Sequence, residues 1–72
     1  MNRSLDVALV ECERVDNREF HLEVIGNDAV WRVCTYIIKN GDYTHQTEKF
    51  WLAEPDARED FNYLKRTAQK VF

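Results

Sequence analysis

The stretch from Val30 to Ile38 limits the possible folds of this chain most. Its residues, VWRVCTYII, are mostly β-branched or aromatic, and such side chains favour β-strands. Apolar groups fall on both alternating faces, whereas a strand with one solvated face alternates apolar and polar residues more cleanly. The stretch therefore predicts a central strand that is covered fully on one side and partly on the other.

Chain length limits what can be built around this strand. Seventy-two residues suffice for one small domain, residues 1–72, that buries only about 60% of the surface of the unfolded chain. The two cysteines provide no disulfide framework to compensate for the small core. We expect marginal stability, for which a homodimer is one remedy.

Several classes of location and partner are disfavoured by the sequence. No run approaches the roughly 18 apolar residues of a membrane span, so no membrane partner is expected. The first six residues, MNRSLD, lack the apolar core of a signal peptide, which favours a cytoplasmic location. The formal net charge of −3 argues against nucleic-acid binding, which depends on neutralising phosphates.

Turn sequences divide the first three quarters of the chain into four strands. The turns are Asp16-Asn17, Gly26-Asn27-Asp28 and Asn40-Gly41. The Asn-Gly pair is the strongest short-range hairpin signal because both residues tolerate a positive φ. We expect the strands at residues 4–14, 18–25, 29–38 and 43–52.

A helix is predicted after the strands, from about residue 55 to 70. Pro55 suits its first turn, and acidic residues near its start and basic residues near its end complement the helix dipole. Apolar residues at intervals of three and four form one stripe: Ala57, Phe61, Leu64, Ala68 and Val71. The fold class is therefore α+β, a four-stranded antiparallel meander followed by one C-terminal helix packed on one face (β-β-β-β-α).

Two-residue turns at Asn27-Asp28 and Asn40-Gly41 predict a register for the last three strands, in which directly opposed residues share a face. The face beneath the helix would collect Phe20, Leu22, Val24, Trp31, Val33, Thr35, Ile37, Phe50 and Leu52. The opposite, open face would mix ionic, aromatic and apolar residues, with Glu23, Arg32 and Lys49 in one row. We expect the partner-binding residues on that face: Ile25, Val30, Arg32, Tyr36, Tyr43, Lys49 and Trp51.

The first strand has two possible registers. A three-residue turn at residues 15–17 sends Ala8, Val10 and Cys12 to the core. A two-residue turn would instead bury Glu11 and Glu13, and burial of unpaired carboxylates is costly. We therefore favour the three-residue turn, which leaves an exposed apolar patch of the kind that marks interfaces: Leu5, Val7, Ile25, Val30 and Trp51.

Four residues are of the types that bind zinc: Cys12, His21, Cys34 and His45. Their spacing contains no C-x₂-C knuckle, and side chains that stand on a flat sheet do not converge tetrahedrally, so we expect no metal. A Cys34–His21 nucleophile, oriented by Glu19 or Glu23, would need an oxyanion site that the sequence does not indicate. We accordingly expect no catalytic residues, no cofactor and no enzymatic activity.

Two functions stay open. The first is a non-enzymatic protein-interaction module, a regulator or inhibitor, that binds a protein partner or a second copy of itself through the open face; Trp, Tyr and Arg dominate such interfaces. The second is a single-stranded nucleic-acid binder that stacks bases on the aromatics of the same face and contacts phosphates through Arg32 and Lys49. The glutamates of that face and the net charge favour the first.

Overall fold

The computed structural model describes residues 6–26 and 30–69. Its elements are β1 (Val7–Val15), β2 (Arg18–Ile25), β3 (Val30–Lys39), β4 (Asp42–Trp51) and α1 (Glu54–Gln69). The strands form one antiparallel sheet in the order β1-β2-β3-β4. This arrangement confirms the predicted α+β meander with a C-terminal helix. Within the described ranges, no helix is long and apolar enough to cross a membrane.

The core lies between α1 and one face of the sheet, chiefly β2 and β3. Alternate residues of both strands point towards the helix and meet its apolar stripe, which buries Phe20, Leu22, Val24, Trp31, Val33, Ala57 and Phe61. Leu64 and Ala68 are partly buried against this cluster, while Val71 lies outside the described residues. Burial of apolar area, at about 25 cal/mol per Å², is what attaches α1 to the sheet.

The strand pairings at both ends of β3 are the predicted ones. Asn40 and Gly41 have φ angles of 53° and 84°, as a two-residue hairpin requires, and Lys39 pairs with Asp42. Ile25 pairs with Val30, so the β2–β3 register is also the predicted one. The bend at Asn27-Asp28 itself lies outside the described residues.

β4 departs from the predicted register halfway along its length. Tyr36 faces His45 as predicted, but Thr35 faces Thr47, so Gln46 is the extra residue of a β-bulge. Because side chains alternate, the one-residue shift moves the rest of the strand to the opposite faces. Lys49 and Trp51 therefore lie on the helix side and Phe50 on the open face, and the predictions for these three residues were wrong.

Contacts with the helix explain the shifted register. Trp51 packs against the core, and its Nε1 donates a hydrogen bond to Asp60 Oδ2 at 3.2 Å. A buried indole N–H needs such a partner, and α1 supplies it on this side of the sheet. Phe50 takes the place of Lys49 in the row with Glu23 and Arg32. Leu52, which was also assigned to the core, is exposed just after β4.

β1 joins β2 through a two-residue turn, so the three-residue turn that the sequence favoured was wrong. Val15 pairs with Arg18, and Asp16 has a φ of 55°. Glu11 and Glu13 consequently lie on the helix side, and Cys12, which was assigned to the core, lies on the open face. The expected cost of burying carboxylates does not arise at Glu11, which is half exposed and paired with cations of α1.

The cations that pair with Glu11 come from the helix. Arg58 Nη1 lies 2.9 Å from Glu11 Oε1, and Lys65 Nζ lies 3.8 Å from its Oε2. Arg58 also bonds Glu54 one turn earlier in α1, at 2.8 Å. The hydrogen bonds that Arg58 donates to Glu54 and Glu11 raise the pKa of Arg58. The β1 register thus depends on helix residues that are distant in sequence.

A second bulge restores the predicted faces at the start of β1. Glu11 faces Leu22 and Leu9 faces Glu23, which leaves Val10 as the extra residue. Val7 lies on the open face, as predicted, and Leu9 lies there too. Ala8 and Val10 were assigned to the core, but both are exposed, although Ala8 does lie on the helix side. Leu5 lies outside the described residues.

Candidate functional site

The face of the sheet opposite α1 is the candidate functional site and is called the open face below. No described element covers it. Three rows of side chains cross its four strands: Leu9–Glu23–Arg32–Phe50, Cys12–His21–Cys34–Glu48 and Arg14–Glu19–Tyr36–His45. The face therefore combines apolar, ionic, thiol and aromatic groups in a fixed order.

An ion-pair network occupies the centre of the open face. Arg32 Nε donates to Glu23 Oε1 at 2.7 Å, and its Nη1 donates to Glu48 Oε2 at 3.1 Å. Burial lowers the pKa of Arg32, but the hydrogen bond and charge of Glu23 outweigh this effect and raise it overall. Glu23 is only 7% exposed, so its charge is compensated by Arg32 and not by water.

Aromatic rings are packed next to this network. The Tyr36 ring stacks on His45 at a centroid distance of 5.1 Å and lies 4.8 Å from the ring of His21 on its other side. Tyr43 meets Tyr36 edge-on at 6.1 Å, and its hydroxyl donates to Glu19 Oε2 at 3.4 Å. These contacts hold the rings in place before any partner binds, which lowers the entropic cost of association.

Apolar side chains surround the central ion pair on three sides. Val7, Ile25 and Val30 form the neighbouring row, and Leu9 and Phe50 lie at the two ends of the row that contains Glu23 and Arg32. Val7, Leu9 and Phe50 are 49%, 55% and 54% exposed. We call these five residues the apolar patch: Val7, Leu9, Ile25, Val30 and Phe50.

The structure places five of the seven predicted partner-binding residues together on the open face: Ile25, Val30, Arg32, Tyr36 and Tyr43. Lys49 and Trp51 lie on the other side, for the reason given above. Phe50, like Cys12, lies on this surface although the sequence assigned it to the core. Two aromatic residues in succession fit either register equally well, so no signal in the sequence distinguishes Phe50 from Trp51.

The surroundings of both thiols of the open face favour the protonated form. Burial, followed by the negative charge of Glu19, raises the pKa of Cys12, and burial together with Glu23 raises the pKa of Cys34. A reactive cysteine needs the opposite shift. Since β2 separates their strands, the two cysteines stand about 9–10 Å apart, beyond the reach of a disulfide.

A separate groove runs between β4 and α1. It has a volume of about 320 Å³ and is lined by Lys49, Trp51, Asp56, Glu59, Asp60, Tyr63 and Arg66. Lys49 Nζ lies over the Trp51 ring, 5.7 Å from its centre, and so makes a cation–π contact with the face of the ring that a cationic ligand would use. Charges of both signs line the groove, which therefore indicates no single class of ligand.

Within the described residues, the open face offers a preorganised polar centre and an exposed apolar patch. Comparisons of the chain with known protein families, with curated proteins and with solved structures find no match.

Proposed function

We propose that this protein is a non-enzymatic protein-interaction module, a regulator or inhibitor, that binds a protein partner through the open face. The observation that carries this proposal is the apolar patch, in which three side chains are about half exposed on a sheet face that no described element covers. Exposed apolar patches on small proteins mark interaction sites because their burial is favourable.

The chemistry of the open face also fits a protein partner. Arg32 already pairs with Glu23 and Glu48, so its charge is compensated. A partner that covers it would therefore not bury an unpaired charge. Aromatic and arginine side chains carry much of the energy of protein interfaces, and Phe50 lies directly opposite Arg32. We expect the partner to present an apolar surface with few charges of its own.

A second copy of the chain is the simplest partner. A two-fold axis would place the apolar patch of one copy on that of the other. Pairing through the sheet edges is less favourable, because the edge strands β1 and β4 each carry a bulge, at Val10 and at Gln46, and bulges interrupt edge-to-edge pairing. We propose the cytoplasm as the location, where both thiols stay reduced.

Single-stranded nucleic acid receives less support as a partner. Lys49, which was expected to contact phosphates, lies on the helix side, and two carboxylates already engage Arg32. Three glutamates, Glu19, Glu23 and Glu48, share the open face with two arginines. Such a surface does not provide the phosphate neutralisation on which nucleic-acid affinity depends.

The substitution Phe50→Ser tests the proposal, with Tyr63→Ser as the matched control. Tyr63 is 57% exposed on α1, so its loss removes a similar exposed aromatic from a different surface. Self-association is measured by sedimentation equilibrium, and partner binding by quantitative capture on immobilised wild-type or variant protein. We expect Phe50→Ser to weaken the association about thirtyfold or more, as truncation of an interface anchor does.

The control variant should associate like the wild type, and circular dichroism should show that both variants are folded. A wild-type protein that is monomeric at every concentration, and that retains no protein better than Phe50→Ser does, would overturn the proposal.

A further inference from the structure

Three potential metal ligands of β1 and β2 meet on the open face. Cys12 lies directly opposite His21, and Glu19 precedes His21 by two residues on the same side of β2. The thiol sulfur, an imidazole nitrogen and a carboxylate oxygen all lie within 4.8 Å of one another. The two-residue turn creates this arrangement, because it moves Cys12 out of the core and onto the open face.

Neighbouring side chains already orient two of these groups. His21 Nδ1 lies 3.5 Å from Glu23 Oε2, while its Nε2 lies 2.8 Å from Glu19 Oε1. The other oxygen of Glu19 accepts the hydrogen bond from Tyr43. Histidine ligands of metals almost always place their second nitrogen against a carboxylate or carbonyl, and carboxylate ligands are themselves hydrogen-bonded. These supporting contacts are independent of the three ligand atoms and point to the same site.

We propose that Cys12 Sγ, Glu19 Oε1 and His21 Nε2 bind a divalent metal ion of the zinc class. Sulfur, nitrogen and oxygen donors of these types are the usual ligands of Zn²⁺. On binding, the thiol proton passes to solvent, and the imidazole stays neutral with its one proton on Nδ1, which faces Glu23 Oε2. The ion takes the place now bridged by the Glu19–His21 hydrogen bond. One thiolate and one carboxylate then balance its two positive charges.

The two arginines of the open face do not occupy this site. Arg14, which pairs with Glu19 in the register, directs its Nε to the carbonyl of Asp16 at 3.1 Å. Arg32 is held by Glu23 and Glu48. Because Cys12 is exposed, a fourth coordination position would face solvent and could hold a water molecule.

A second set of possible ligands on the same face provides a comparison. The side chains of Cys34, His45 and Glu48 also offer atoms within 4.8 Å of one another. There, however, Glu48 is paired with Arg32 at 3.1 Å and the sulfur of Cys34 is fully buried. An ion would have to displace an arginine and reach a covered thiol, so we assign the site to the first set.

Titration with Co²⁺ tests the assignment, since Co²⁺ takes tetrahedral Zn²⁺ sites and a bound thiolate gives a charge-transfer absorption in the near ultraviolet. We expect this absorption to saturate at one ion per chain and to disappear when Zn²⁺ is added. Cys12→Ser should abolish it, and Glu19→Gln and His21→Ala should each reduce the affinity. Tyr43→Phe, which removes only a supporting hydrogen bond, should reduce the affinity about tenfold.

His45→Ala is the matched control, because it removes a histidine of the same face that belongs to the other set. This variant should bind Co²⁺ like the wild type, and circular dichroism should show that every variant is folded. Two results would overturn the assignment: a wild-type protein without the absorption, or an absorption that survives in Cys12→Ser and is lost in His45→Ala.

Discussion

Replacement of Phe61 by alanine should lower the free energy of unfolding by about 3–5 kcal/mol, the range found when a buried aromatic residue is truncated. Phe61 is fully buried at the centre of the interface between α1 and the sheet. A domain of this size has roughly 4–11 kcal/mol of stability in total, at about 0.05–0.15 kcal/mol per residue. The variant should therefore be largely unfolded or close to it, as measured by urea denaturation followed by circular dichroism.

Tyr63→Ala is the control for this experiment. Tyr63 lies on the same helix but is 57% exposed, so its removal should change the free energy of unfolding by less than about 0.5 kcal/mol. Equal losses in the two variants would mean that α1 does not dock through Phe61, which would contradict the fold described here.

Arg32→Met should produce the second largest loss, about 2–3 kcal/mol in the free energy of unfolding. Breaking a fully buried ion pair by removing one partner costs roughly 3–5 kcal/mol, and the partial exposure of the Arg32 side chain reduces this figure. The loss arises because Glu23, buried and charged, would keep only weaker contacts, with His21 Nδ1 at 3.5 Å and with the Cys34 thiol at 4.0 Å. Urea denaturation at neutral pH measures it.

Two further variants test whether the loss of stability comes from the unpaired charge of Glu23. Arg14→Met removes an arginine of the same face whose side chain, among the described residues, bonds only a turn carbonyl, and it should be close to neutral. The double variant Glu23→Gln, Arg32→Met removes both charges and should recover part of the stability lost in Arg32→Met alone. If the double variant is less stable than Arg32→Met, the buried carboxylate is not the source of the loss.

The order and type of the elements could be predicted because their signals are local. The alternation of Phe20, Leu22 and Val24 with polar residues defines a strand, and Asn40-Gly41 defines a hairpin without reference to the rest of the chain. The apolar stripe of α1 and its distribution of charge are equally local. These features were enough for the fold class and for the register between β2 and β3.

The errors in the β4 register and at the β1–β2 turn have a common physical cause, which is contact with a distant helix. The faces of Phe50 and Trp51 depend on a bulge at Gln46, and the hydrogen bond from Trp51 to Asp60 favours that bulge. The β1 register places Glu11 on the helix side, where Arg58, 47 residues later, neutralises it. A cost assigned to an unpaired carboxylate does not apply once the fold supplies the cation.

The candidate site, like the fold, could be predicted only where nearby turns set the register. Ile25, Val30, Arg32, Tyr36 and Tyr43 lie on strands whose register is set by nearby turns, and the open face indeed contains them. Phe50 and the grouping of Cys12 with His21 depend on the bulge and on the first turn. The sequence could not supply these, although they determine the apolar patch and the proposed metal site.

The proposed binding surface depends on a sheet that presents Phe50 on its open face and Trp51 beneath the helix. Nuclear Overhauser contacts of these two rings test it most directly. The structure predicts contacts from the Trp51 indole to Asp60 and from the Phe50 ring to the side chain of Arg32. Contacts from Phe50 to Phe61, together with contacts from Trp51 to Arg32, would contradict the register, and the proposed binding surface would be withdrawn with it.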